Sequence, residues 1–191
     1  GDVNLGQIEA VLNKIGGEAA IPRLLAGELV VVEREPIVPK PEVPLDTIIR
    51  VDRSVRPVYP DWAKVVMHPE LEIVGLAEYD LAKQVELYLF GKQRSGGREK
   101  GHVIYNHLKE TDSLKNCLGL HDLVAIQQKG IVFFRKLFGS KVLLGWKSIV
   151  RHSDGNLCVP CVDGYGGKVV VDWYWLARGW LGHNPAARFA S

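Results

Sequence analysis

Residues 145–191 read GWKSIVRHSDGNLCVPCVDGYGGKVVVDWYWLARGWLGHNPAARFAS. Four of the chain's five Trp fall here, Trp146, Trp173, Trp175 and Trp180, separated by Gly, small polar residues and short β-branched runs. That is the composition of an aromatic-pinned β-structure. Within it Val169, Val171, Trp173 and Trp175 alternate with Val170, Asp172 and Tyr174. A period of two predicts a half-buried strand, with one face in a core and the other, mixed in its chemistry, turned outward.

Working back toward the N-terminus, residues 141–150 continue the β-character. Residues 122–138 place Leu123, Val124, Ile131, Phe134, Leu137 and Phe138 on one helical face, with Lys129, Arg135 and Lys136 off it and Gly139 as the stop. A second helix is expected over 102–109. Residues 92–100 (KQRSGGREK) read as an exposed loop, and 80–90 as a helix passing into a strand. Pro57, Pro60 and Pro69 around Tyr59 and Trp62 predict a covering loop, with a short helical turn capped by Asp61. Residues 47–51 supply an early strand. Helices in the middle, strands at the end and an early strand free to pair with them make an α+β domain over 47–191.

Before it, EPIVPKPEVP (35–44) carries Pro36, Pro39, Pro41 and Pro44 and can hold neither a helix nor a central strand, so residues 35–46 read as a semi-rigid linker. Residues 1–34 form a small helical module: helices over 7–15 and 18–26, then a strand over 29–32. That order admits a helix-turn-helix with a wing, for which Arg23 is the one basic side chain on the second helix; the other reading is a small amphipathic helix pair.

The totals narrow the partners. A chain of 191 residues with 47% hydrophobic and 24% charged residues is globular, with room for one domain and a small module. A net charge of +2 lacks the basic excess of a dedicated duplex binder. No apolar run approaches the roughly 20 residues that cross a bilayer, and the start GDVNLGQIEAVLNK lacks a leader pattern. A soluble chain, cytoplasmic by default and without membrane insertion, is the expectation. Three Cys are too few for a disulfide framework.

Chemistry-bearing groups are sparse. Cys158-Val-Pro-Cys161, joined by Cys117 and His121, has the residue types of a Cys₃His zinc site. On a regular strand, however, an odd separation points the two Cys to opposite faces. His152-Ser153-Asp154 has the residue types of a hydrolytic triad in consecutive positions, which suits a turn and not a triad. His68, His102, His107 and His183 show no ligand pairing at helical spacing. The reading is therefore non-enzymatic and without a cofactor, a zinc protein or an enzyme being the more distant alternative.

What remains is a surface. Cys158, Cys161, Asp163, Tyr165, Val170, Asp172, Tyr174, Ala177, Arg178, Leu181 and His183 form a heterogeneous set between the Trp residues, as a binding face does when aromatic and charged anchors supply contact and small residues set shape. Loops over 163–167 and 177–183 would frame it, and Trp146, Trp173, Trp175 and Trp180 would be scaffold. The expected partner is a macromolecule, a protein. The rival partner is nucleic acid, met by the first module and the basic strip from Lys129 to Lys141.

A resemblance sharpens this. A strand around Trp146-Lys147-Ser148, turns rich in Gly and Asp, and the ending Asn184-Pro-Ala-Ala-Arg188-Phe-Ala resemble the close of bacterial C-type-lectin-like domains. The resemblance implies two helices flanking a twisted antiparallel sheet that brings the chain ends together, with a strand-supported ligand face. Trp173-Tyr-Trp175-Leu176, Trp180 and Asn184-Pro-Ala are similar to the tails of variable proteins from diversity-generating retroelements, in which asparagine codons are mutagenised at adenine. Every residue of the surface set belongs to those such changes can reach; Lys168 does not and would be framework. From about Val51 the chain (VDRSVRPVYPDW, CLGLHDL, KGIVFFRKLF, GWKSIVRH) is also similar to a recurrent family of bacterial proteins, a likeness that implies no role.

Overall fold

Gly166 and Gly167 take φ of +58° and +79°. Two successive left-handed residues are the backbone of a type I′ turn, whose twist matches that of the strands it joins. They close a hairpin in which Tyr165 pairs with Lys168 and the register runs unbroken to Cys158 opposite Trp175. This hairpin is the spine of the computed structural model, which describes residues 4–30 and 44–190. The chain divides into two units, residues 1–44 and 45–191.

In the first unit, α1 (Leu5–Ile15) starts at a capping box: Asn4 Oδ1 accepts from the Gln7 amide at 3.0 Å, and Gln7 Oε1 accepts from the Asn4 amide at 2.9 Å. Gly16, at φ +104°, ends it. The following α2 (Ala20–Leu25) is only six residues long, shorter than expected. Leu29 and Val30 are not in a strand; the rest of that expected strand, and the Pro-rich linker through residue 43, lie outside the described residues.

The second unit runs β1 (Ile48–Arg50), β2 (Ala63–Val66), β3 (Glu78–Asp80), α3 (Leu81–Gln84), β4 (Val85–Tyr88), α4 (Gly91–Arg94), β5 (Glu99–Lys100), α5 (Gly101–Glu110), α6 (Leu120–Gln128), α7 (Gly130–Phe138), β6 (Leu143–Leu144), β7 (Val150–His152), β8 (Leu157–Tyr165), β9 (Lys168–Trp175), β10 (Gly179–Trp180) and β11 (Ala186–Phe189). In the main sheet β9 lines one edge of β8, while β7 and then β6 share the other. The sheet continues outward through β2 on one side and through β11 and β4 on the other. All of these pairs are antiparallel except β6 with β11. The class is α+β, as expected, and the single parallel pair makes its largely antiparallel sheet mixed.

The sheet's two faces carry two cores. Leu143, Val162, Val169 and Ala187 meet Leu123, Ile126, Phe133, Phe134 and Phe138 from α6 and α7. Their neighbours Leu144, Val159, Cys161 and Ala186 meet Ile104, Tyr105 and Leu108 from α5, together with Trp146 and Trp180. Adjacent residues thus go to opposite layers, as the pleat requires.

Four local expectations are corrected. The single helix over 122–138 is two, because Gly130 at φ +82° interrupts it. Trp146–Ser148 is a 3₁₀ turn, not a strand, and all three residues are fully buried. After a turn closed by Ala63 N donating to Pro60 O, residues 63–66 form a strand paired with β7 in place of the helical turn capped by Asp61. Residues 92–100 are not simply an exposed loop: Gln93 and Glu99 are buried and β5 pairs with β10.

Candidate functional site

The register of β8 and β9 decides which of the proposed surface residues meet. Cys161 lies opposite Asp172, and Asp163 opposite Val170, so these side chains share one face with Tyr165 and Tyr174. Together the six line a cavity of about 270 Å³. Its floor is the buried Cys161, its walls Asp163 and Asp172, and its rim Tyr165 and Val170, which are 77% and 37% exposed. The loop expected over 163–167 is strand as far as Tyr165, so the cavity stands on rigid backbone.

Tyr174, half-buried against the α5-side core, also lines a second cavity of about 500 Å³ with Arg98, Val142, Arg178, Gly179, Trp180, His183 and Asn184. Arg178 lies over the Tyr174 ring, 5.3 Å from its centroid. Burial, and then the neighbouring Cys161, Asp163 and Asp172, raise the Tyr174 phenol above its ordinary value, so it stays a neutral donor at physiological pH. The site is thus an acid-walled and a cation-walled cavity on either side of one tyrosine. Eight of the proposed residues come together in it: Cys161, Asp163, Tyr165, Val170, Asp172, Tyr174, Arg178 and His183.

Three do not. Cys158 pairs with Trp175 on the opposite face and is buried there. Ala177 is exposed and Leu181 half-buried, and neither lines a cavity described here. The opposite face of β9 is covered instead. Val169 and Val171 enter the α6–α7 core, Trp173 packs edge-on to Trp62 at 5.3 Å, and Trp175 packs on His152 at 4.9 Å. The covering loop around Tyr59 and Trp62 is therefore what seats Trp173, while Trp175 rests on His152 of β7.

The zinc alternative is not assembled: among the described residues, no three His, Cys, Asp or Glu are grouped to hold a metal ion. Cys161 and Cys158 face opposite ways, and burial pushes the Cys117 and Cys161 thiols up to about 12 and Cys158 up to about 11. They are packing groups, protonated at neutral pH. Asp154 Oδ1 and the Asp154 amide both meet the same His152 nitrogen, Nδ1, at 3.0 and 3.2 Å, so residues 152–154 close a turn. In the basic strip, Lys129 is tied to Asp46 at 2.7 Å.

A buried polar cluster escaped the sequence reading. Asp122, fully buried at the start of α6, accepts from Arg53 Nη2 at 2.6 Å and Nη1 at 3.3 Å, from the Tyr79 hydroxyl at 2.9 Å and from the Gly119 amide at 2.8 Å. Beside it Lys147, also fully buried, donates to Val74 O at 2.8 Å, and Tyr59 donates to the buried Glu72. Burial lowers the Lys147 amine below its ordinary range. Ser148 Oγ accepts the Leu120 amide at 2.6 Å. The cluster joins α6, the 3₁₀ turn and the covering loop. Its only sequence signal was the run of polar residues in WKS and HD beside apolar ones.

No protein-family model, curated protein or solved structure matches the chain.

Proposed function

We propose that this chain is a non-enzymatic recognition protein, binding a macromolecular ligand, a protein, with the Tyr174 face of the β8–β9 hairpin. The observation that carries the reading is the convergence of Cys161, Asp163, Tyr165, Val170, Asp172 and Tyr174 in one cavity on adjacent strands. A rigid two-strand platform limits the side-chain and backbone order lost on binding, and the tyrosines offer broad amphipathic contact. We propose the scaffold to be C-type-lectin-like. Support comes from the last strand, β11, lying antiparallel to β4 with α5, α6 and α7 between them in sequence. On that scaffold the hairpin face would be the diversified surface of a retroelement variable protein. A near-copy of the coding tail differing at adenines, beside a reverse-transcriptase gene, would support that last step.

The test is to select binders of the full chain from a displayed protein library and to measure affinities by calorimetry. Tyr174→Ala should weaken binding by about 30-fold, the loss of a hot-spot contact of about 2 kcal/mol, with only a modest fall in the urea midpoint from its half-buried ring. Trp173→Ala should lower the midpoint further, since its ring is packed against Trp62 and Tyr59, and leave the affinity of the folded protein less affected. If neither Tyr174→Ala nor Asp172→Asn weakens any selected binder, the recognition face lies elsewhere.

A further inference from the structure

We propose that the larger cavity, between Tyr174 and Asn184, is an oxyanion site that takes a carboxylate or phosphoryl group of the ligand. The proposal deepens the recognition reading and rests on it for the choice of face. The argument is the one-sided chemistry of the lining. Arg98, Arg178 and His183 converge there, and no Asp or Glu lines the cavity. Among the described residues, neither Arg98 nor Arg178 has a salt bridge.

The buried part of the lining adds one donor without a partner. Asn184 is only 6% exposed, and its Oδ1 accepts the Leu181 amide at 3.4 Å. Trp180, also buried, has an indole Nε1 with no acceptor. A buried donor left unmatched is unfavourable, and it belongs here to a residue that lines the cavity. Asp163 and Asp172 line the other cavity and not this one.

Arg98 is also held in place. Its Nη1 donates to Gly179 O at 3.1 Å, leaving its other donors free. Its stem lies so close over Gly179 that a Cβ there would come within 2.4 Å of Arg98 Cδ. Arg178 is steadied on the Tyr174 ring. Two guanidinium groups, one hydrogen-bonded to Gly179 O and one over the Tyr174 ring, are suited to forked contacts with a planar carboxylate or a phosphate. A volume of about 500 Å³ lies within the range of small-ligand pockets.

The experiment titrates the ¹⁵N-labelled full chain with inorganic phosphate and, separately, with acetate, at constant ionic strength, following the Trp180 indole N–H resonance. A saturable shift is expected, and Arg98→Ala and Arg178→Ala should each weaken it by roughly tenfold or more. Gly179→Ala, which displaces the Arg98 stem, should act in the same direction and provides a second variant if an arginine substitution perturbs folding. Tighter phosphate binding assigns a phosphoryl source, and tighter acetate binding a carboxylate source. No shift at millimolar concentration of either anion, or an undiminished shift in the Arg98→Ala/Arg178→Ala variant, overturns the proposal. The titration needs no macromolecular partner. Its failure therefore leaves the Tyr174 reading standing, and failure of library selection leaves the anion site standing.

Discussion

Removing the carboxylate of Asp122 should damage the second unit more than most single truncations, because four donor contacts converge on it. Asp122→Ala would leave the Arg53 guanidinium, whose side chain is 9% exposed, without its counter-charge and with only the Leu76 carbonyl as acceptor, and would leave the Tyr79 hydroxyl and the Gly119 amide without theirs. Breaking a buried charge pair by deleting one partner costs about 3–5 kcal/mol, chiefly because the other charge is left uncompensated. Against a total stability of about 5–15 kcal/mol for a domain, that is a third or more. Arg53→Ala should cost less than Asp122→Ala, since Asp122 would keep the Tyr79 and Gly119 donors. The double variant should then be less destabilised than the sum of the two by about 2 kcal/mol. Urea unfolding followed by tryptophan fluorescence and circular dichroism measures all three. A loss under about 1 kcal/mol for Asp122→Ala, well below the buried-pair range, or strict additivity in the double variant, would refute the claim that this cluster ties α6 to the covering loop.

Two further predictions concern packing and pH. A Cβ at Gly101 would sit 2.4 Å from Trp180 Cη2 and 2.8 Å from Leu176 O, so Gly101→Ala should lower stability by about 1–3 kcal/mol through overpacking. An unchanged melting curve would mean that the α5 start is free to shift. Stability should also fall above pH 9. The folded-state values of Cys117, Cys158 and Cys161 are raised above 9.0, so their contribution is complete below that pH and is lost as the pH climbs toward about 11 to 12. At about 1.4 kcal/mol per pH unit for each group once fully titrating, the two deepest thiols, Cys117 and Cys161, together lose on the order of 2 kcal/mol between pH 9 and 10, and Cys158 adds less because solvent screens it. Lys147, lowered from 10.5, opposes this over the window up to 10.5. Its single amine offsets only part of the loss from three thiols. Urea midpoints taken under reducing conditions at pH 7.5, 9 and 10 check the sign; a midpoint that rises with pH contradicts it.

The division between local and distant causes explains what could be read in advance. The β9 strand was legible because Val169, Val171, Trp173 and Trp175 alternate with Val170, Asp172 and Tyr174, and that pattern by itself separates a covered from an open face. The opposed facing of Cys158 and Cys161 followed from the same period. Gly130 was passed over because the apolar spacing on either side of it continues, while its positive φ breaks the helix all the same. The 3₁₀ turn at Trp146–Ser148 was hidden for a different reason: burying Lys147 makes sense only beside Asp122 and Val74 O, which are distant in sequence.

The amino-acid sequence alone determined the α+β class and the outward face of β9, since both follow from periodicities carried by neighbouring residues. Only the tertiary structure decided that Asp163 and Tyr165 stand across from β9, that Arg98 comes to lie against Gly179, and that Asp122 takes Arg53 as its partner. These juxtapositions join residues through strand register and loop closure, and register depends on where the Gly166–Gly167 turn sets the pairing, not on the character of any one residue.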